Sequence, residues 1–406
     1  MSTPVPHAQI RVLLLENIHR SAVEMFAELG VHVETVTGAL KEDELIARLE
    51  GVHILGIRSK TRVTEKVLAA ANDLIAVGVF CIGTNQIDLD AAQKRGVPVY
   101  NAPFSNTRSV AEMIIGWTVF LARQLGDRSR EVHDGQWRKV ATGCYELRGK
   151  TLGIVGYGHI GSQVGVLAEA MGMRVLSYDI RSTMAIGNAR PLPSLEALLE
   201  AADFVTLHVP ETPATKNMIG APELARMKKG SYLMNASRGT VVDIPALAHA
   251  VKSGHLAGAA IDVFPEEPET NSDGFKTELR GLANVILTPH IGGSTMEAQE
   301  AIGREVATAL SKYLDGGSTV GSVNYPPVEL PRATRTTRVL NIHKNVPGVL
   351  RDVNRIVSDA NANIRAQILA TDADVGYLLM DFDESVSPTV ADQIGALPTS
   401  IRTRIL

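Results

Sequence analysis

Residues Thr151–Val155 read as a short strand, and Gly156-Tyr157-Gly158-His159-Ile160-Gly161 follow it directly, opening a helical stretch over 160–171. Few backbones accept that order. Glycine at the first position permits a tight turn, at the second a close approach by a ligand, and at the third close packing of helix on strand. The helix start then offers unpaired N–H groups and the positive end of its dipole, which suits a pyrophosphate. Asp179 ends the next strand, 18 residues beyond Gly161 (179 − 161). A carboxylate there accepts hydrogen bonds from ribose hydroxyls and repels a 2′-phosphate. The stretch predicts a dinucleotide-binding unit that takes NAD; Arg181 is the one nearby feature that speaks for NADP.

The unit has company on both sides. Residues 10–15, 31–36, 53–57 and 74–79 are strand candidates, and 20–29 and 42–49 between them have helical spacing. Strands alternating with helices imply parallel βαβ units. A second series starts at Thr151 with strands at 151–155, 174–178, 204–208, 232–235, 258–262 and 285–288, a six-strand doubly wound pattern. Residues 110–124 read as one long apolar helix between the series. A helix over 297–314 follows the last strand and is expected to return to the first domain, which makes that domain discontinuous. Gly316, Gly317, Pro326, Pro327 and Pro331 mark a linker. Beyond it a strand, a helix, two strands, a helix and a strand give the βαββαβ order of a ferredoxin-like unit. The expected fold is therefore α/β: two doubly wound parallel-sheet domains of Rossmann-like or flavodoxin-like type, and a small C-terminal ferredoxin-like domain. Their expected limits are 1–105 with 295–330, 106–294, and 337–406.

Composition narrows the class. The chain has 406 residues, 45% hydrophobic and 21% charged, with a formal charge of −4. That is ordinary for a globular protein and argues against a nucleic-acid binder. Cys81 and Cys144 are the only cysteines, too few for a disulfide framework or a cysteine-based metal cluster, so no metal is expected. The N-terminal residues carry no basic segment followed by an apolar run, and apolar stretches elsewhere are short. The reading is a cytoplasmic enzyme with no membrane partner.

Three polar residues stand just past strand ends, where open α/β sheets place their ligands. They are Arg238 in Asn235-Ala236-Ser237-Arg238-Gly239, Glu267 in Phe264-Pro265-Glu266-Glu267-Pro268, and His290 in Thr288-Pro289-His290-Ile291-Gly292-Gly293. Singly each has a bland role in a loop or cap. Together they suit hydride chemistry on a 2-hydroxy acid. Neutral His290 can take the hydroxyl proton as hydride leaves. Glu267 can orient the imidazole and stabilise its protonated form. Arg238 can grip the carboxylate and polarise the carbonyl oxygen.

These motifs, with Ala260-Ile261-Asp262-Val263-Phe264-Pro265, resemble the D-isomer-specific 2-hydroxyacid dehydrogenases over essentially the whole chain. Phe80-Cys81-Ile82-Gly83-Thr84-Asn85-Gln86 and the run 101–110 resemble the phosphoglycerate dehydrogenase branch of that family. The resemblance implies NAD-dependent oxidation of 3-phosphoglycerate, the entry step to L-serine, by a homotetramer using Arg238, Glu267 and His290. It implies that Gly156, Gly158, His159, Ile160, Gly161, Asp179, Ala236, Ser237, Asp262, Gly292 and Gly293 line the cofactor. Arg58, Ser59, Lys60 and Gly83 are implied to bind substrate, with Asn106 helping to hold it. Lys60 and Thr37 stand where some relatives carry Arg and Lys, which leaves the route to phosphate affinity open. Lys139 is implied to reach a neighbouring subunit's site; a solvated loop lysine is the alternative.

The C-terminal unit resembles an ACT domain. By that likeness two such domains pair, and L-serine binds between them at His343, Asn345 and Asn363; cap and turn roles are the alternative for the two asparagines. Serine is expected to act by opening or locking a hinge over residues 316–331. Arg332, Arg335 and Arg338 read as a solvated stretch there, or as an anion-sensitive hinge. Two other readings stay open: reduction of another 2-oxoacid such as 2-oxoglutarate or glyoxylate, and a non-catalytic NAD-sensing scaffold.

Overall fold

The computed structural model describes residues 5–268, 273–383 and 388–406. It divides into two compact units, Met1–Ser105 with Gln299–Leu406, and Asn106–Ala298.

In the first unit five parallel strands lie in the order His32–Thr35, Arg11–Leu14, Ile54–Ile57, Ala76–Val79, Val99–Asn101. This is the flavodoxin-like winding. The fifth strand is absent from the sequence reading because its three residues follow Pro98 without alternation. Strand Ile54–Ile57 is buried at every position, as expected for a parallel sheet covered on both faces. Leu45, Val67, Leu68 and Ala92 cover one face. Phe26 and the long helix Met296–Gly316, through Ile302, Val306 and Leu310, cover the other.

The C-terminal part of this unit is an antiparallel sheet in the order Ile364–Thr371, Val375–Asp383, Thr336–Lys344, Ser400–Ile405. Helices Val349–Asp359 and Pro388–Gly395 cover one face over Val339, Leu378 and Met380. The alternate residues Leu340, Ile342, Tyr377 and Leu379 join the same core as Ile10, Leu14 and Tyr325. Strand periodicity thus sends one residue set to each face, and both faces are buried.

Segment 316–331, expected as the hinge, is tied to both of its surroundings by hydrogen bonds. Tyr377 and Tyr100 hydroxyls donate to the carbonyls of Gly317 and Ser318, each at 2.7 Å. The Arg338 guanidinium donates to the carbonyls of Gly316, Leu330 and Pro331 at 3.0, 2.7 and 3.1 Å. It also pairs with Asp381 through two bonds of 2.6 and 2.7 Å, and both side chains are essentially buried. Arg338 is therefore buried and ion-paired, which corrects the reading of a solvated stretch. Proline and glycine marked irregular backbone correctly, and a buried guanidinium satisfies three of its carbonyls.

The second unit is a seven-stranded parallel sheet. Its order is Val285–Leu287, Leu256–Ile261, Ser231–Asn235, Phe204–Leu207, Thr151–Val155, Arg174–Tyr178, Arg190–Pro191. The seventh, a two-residue edge strand, was not expected. The order reverses at Thr151–Val155, so every strand-end motif named above leaves the same edge of the sheet, where such folds bind ligands. Helix Thr107–Arg123 packs on this sheet with Val110, Ile114, Trp117 and Leu121 buried.

Candidate active site

Strand Thr151–Val155 ends at Gly156, whose φ of 89° suits glycine. A side chain there would also strike the carbonyl of His208. Gly158 precedes the first turn of helix His159–Ala170, and no protein atom lies within 4 Å of where its Cβ would stand. Gly161 packs back on the Gly156 carbonyl. Asp179 is held by two backbone donors, the N–H groups of Tyr157 at 2.8 Å and Arg181 at 2.9 Å. One oxygen takes each bond, so both keep acceptor capacity for sugar hydroxyls.

At the end of strand Ser231–Asn235 the Asn235 side chain builds the next loop. Its oxygen accepts from the Ser237 N–H at 3.0 Å and the Ser237 hydroxyl at 2.7 Å, and its amide donates to the Arg238 carbonyl at 2.9 Å. Arg238 Nη1 donates to the Ser237 carbonyl at 2.7 Å. Gly239 lies so close to the Phe264 carbonyl that any Cβ would overlap it. That backbone contact joins the Arg238 loop to the Glu267 loop.

Asp262, 1% exposed, anchors the third loop. Its carboxylate accepts from the Thr288 hydroxyl at 2.6 Å and from the Ile291 and Gly292 N–H groups at 2.9 and 2.8 Å. Its carbonyl accepts from the His290 N–H at 2.8 Å. His290 sits at φ 54°, a left-handed conformation that a β-carbon disfavours, and such strain concentrates at working sites. His290 Nδ1 lies 2.8 Å from Glu267 Oε2, while Glu267 Oε1 accepts from the Phe264 N–H at 3.0 Å. The imidazole is half exposed.

The hydrogen bond that His290 donates to Glu267, outweighing burial, holds the His290 pKa above its ordinary value. Burial pushes the Glu267 carboxyl up, but His290, the Phe264 N–H and the Arg238 charge together carry it below its ordinary value. Arg238 opposes the charging of His290 and favours that of Glu267, so the three groups form one electrostatic cluster. Burial pushes His208 down to about 3, so that ring is neutral near pH 7; its Nε2 lies 3.0 Å from the Thr206 hydroxyl.

A family model described as "D-isomer specific 2-hydroxyacid dehydrogenase, NAD binding domain" matches residues 115–292, and one described as "AHAS small subunit-like ACT domain" matches 340–402. The chain is 55% identical over 405 residues to the D-3-phosphoglycerate dehydrogenase of Dictyostelium discoideum, covering 100% of this chain and 99% of that one. The chain belongs to the D-3-phosphoglycerate dehydrogenases of the D-2-hydroxyacid dehydrogenase family. This dehydrogenase is also 53% identical over 401 residues to the D-3-phosphoglycerate dehydrogenase of Escherichia coli strain K12, covering 98% of each. Among solved structures it resembles the D-lactate dehydrogenase of Aquifex aeolicus complexed with NAD and lactic acid, with a TM-score of 0.67 and 28% identity over 78% of this chain and 99% of that one. Its cofactor is NAD, and the C-terminal sheet with its two helices is its ACT domain. The glycine turn and the doubly anchored Asp179 suit that cofactor's pyrophosphate and ribose.

Of the other candidate residues in this unit, Ala236 is half-buried, Ser237 is buried and Lys139 is exposed on the irregular segment after helix Leu125–His133. Asn106 precedes helix Thr107–Arg123 beside Gly293, and its buried Oδ1 lacks a hydrogen-bond partner. In the first unit Arg58 and Gly83 are half-buried, while Ser59 and Lys60 are exposed. In the ACT domain His343 is buried, its Nδ1 3.0 Å from Asn341 Oδ1 and its ring against Gly376. Asn345 donates to the Asp372 carbonyl at 2.6 Å and Asn363 to Asp383 Oδ2 at 3.1 Å. Sequence reasoning missed the loop-building task of Asn235. Asn235 left a trace, since an asparagine at a strand end commonly bonds the backbone two residues on.

Proposed function

We propose that the dehydrogenase oxidises 3-phospho-D-glycerate to 3-phosphohydroxypyruvate, with His290 as general base, Glu267 as its orienting partner and Arg238 as the grip on the substrate's carboxylate and carbonyl. The observation that carries this reading is the 2.8 Å contact of His290 Nδ1 with Glu267. With Glu267 accepting at Nδ1, the proton stays there and Nε2 is the free base. In oxidation Nε2 takes the C2 hydroxyl proton; in reduction the imidazolium returns it, stabilised by Glu267. Arg238 pairs with the carboxylate and draws electron density from the oxygen that becomes the carbonyl. Bound NAD supplies the hydride acceptor. Gly156, Gly158, His159, Ile160 and Gly161 would hold its pyrophosphate, Asp179 its ribose, and Ala236, Ser237, Asp262, Gly292 and Gly293 its nicotinamide side. Arg58, Ser59, Lys60, Gly83, Asn106 and Lys139 are assigned to the substrate, with the phosphate at Arg58 and Lys60.

The pH dependence follows from the base. Oxidation needs neutral His290, and Glu267 raises its pKa above the ordinary 6.5. Oxidative kcat/KM should therefore climb with pH through a midpoint above 6.5, and reductive kcat/KM should fall through the same range. Glu267→Gln removes the raising partner, while burial and Arg238 still push downward, so the midpoint should drop. A midpoint that does not move would assign the titration to another group.

The proposal extends to regulation: the reaction is the first step of L-serine formation in the cytoplasm, and serine inhibits it at the ACT domain. Asn345 bonds the turn at one end of strand Val375–Asp383, and Asn363 bonds its last residue. Nine residues of strand separate the two by roughly 25 Å. One serine can touch both only if two ACT domains pair. The outer edge of strand Ile364–Thr371 has no partner strand among the described residues and is suited to that pairing. On the NAD-binding unit Phe120, Trp137, Val140 and Tyr145 are exposed, and we assign them to a second subunit contact, giving a homotetramer. NADH formation from 3-phosphoglycerate, measured with and without L-serine, tests the function. Turnover that serine suppresses, with Asn345→Ala and Asn363→Ala each relieving suppression, supports the whole reading. Turnover indifferent to serine leaves the ACT domain an assembly module, and absence of turnover in both directions points to another 2-oxoacid.

A further inference from the structure

Glu16 follows strand Arg11–Leu14 at φ 60°, and Asn17 after it sits at φ 53°. Two successive left-handed residues without glycine are unfavourable, and something must hold them. The Glu16 side chain is 8% exposed. Its Oε1 accepts the Arg58 and Thr61 N–H groups at 3.2 and 2.8 Å, and its Oε2 accepts the Lys60 N–H at 3.0 Å. From the other side the Gln86 amide donates to the Arg58 carbonyl at 2.6 Å and to the Cys81 sulfur at 3.5 Å. One carboxylate and one amide thus enclose the backbone of Arg58–Thr61. The Ser59 and Lys60 side chains stay exposed.

We propose that Glu16 is a positioning residue for the phosphate-binding segment Arg58–Lys60, with Gln86 its counterpart on the other side. The proposal rests on the assignment of the substrate's phosphate to Arg58 and Lys60. A carboxylate beside a site for an anion is at first sight adverse. Here its oxygens are occupied by three N–H donors, which offset its charge and fix the segment in one shape. Fixing a flexible loop before the ligand arrives removes an ordering cost from binding. The Cys81 thiol donates to the Gly83 carbonyl at 3.3 Å, so Gln86 also ties the Gly83 loop to the same arrangement.

Glu16→Gln keeps the shape, but it sets an NH2 donor against backbone N–H groups and loses the charge. In the full-length enzyme the KM for 3-phosphoglycerate should rise about tenfold to a hundredfold, since small misplacement of binding groups is costly. kcat at saturation and the NADH dissociation constant, read by fluorescence, should change less than about twofold, because the chemistry and cofactor groups lie in the other unit. Gln86→Ala should show the same split more weakly, and it supplies the reading if Glu16→Gln does not fold. Equal losses in kcat and KM, or an unchanged KM, would overturn the positioning role. If Arg58→Ala and Lys60→Ala leave KM unchanged, the phosphate assignment itself fails, and the proposal falls with it.

Discussion

Replacing His290 by asparagine should lower kcat for 3-phosphoglycerate oxidation by roughly 10²–10⁴-fold, the ordinary worth of a positioned proton acceptor. The side chain is half exposed and bonded to one partner, so its loss opens no core cavity and the fold should survive. NADH binding is the control, and the dissociation constant should stay within about twofold. The asparagine must also adopt φ 54°, which asparagine tolerates better than most residues. A loss below tenfold with NADH binding intact would mean that another group takes the proton. His208 is not a ready substitute, since burial holds its pKa near 3.

Arg238→Ala should cost about 10²–10³-fold in kcat/KM, the scale seen when one donor to a developing charge is removed. The loss should appear in both kcat and KM if, as proposed, the same guanidinium binds the carboxylate and polarises the oxygen. Arg238→Lys restores the charge without the planar fork and should recover only a small part. A second signature is independent of rate. Arg238 works against protonation of His290, so its removal should shift the pH midpoint of oxidation upward, opposite to the shift from Glu267→Gln. A lost rate with an unmoved midpoint would separate Arg238 from the base. An unchanged rate would favour a chain that binds NADH without this chemistry.

The proposed catalytic groups could be singled out in the sequence because each lies beside a residue with a stereotyped backbone task. Gly239, Pro265 and Pro289 marked where chains leave the sheet, and a parallel sheet delivers all such exits to one edge. The long helices and fully buried strands were legible from period alone. The strands Val99–Asn101 and Arg190–Pro191 were not, since two or three residues carry no period. Asp262 read as a cofactor contact, and its first observed task is to hold the His290 loop through Thr288, Ile291 and Gly292.

By itself the sequence determined the order of the longer elements, the glycine turn, and the identity of the imidazole, carboxylate and guanidinium. These depend on local stereochemistry and on side-chain chemistry, which neighbours along the chain disclose. The tertiary structure decided everything that joins distant residues. Glu16 meets residues 58–61 more than forty positions away, and Arg338 bonds three carbonyls of the segment read as a linker. It also set Asn345 and Asn363 at opposite ends of one strand. Such partners leave no periodic or compositional trace. A buried carboxylate or guanidinium must find its hydrogen bonds wherever the folded backbone offers them, and only the packed chain says where that is.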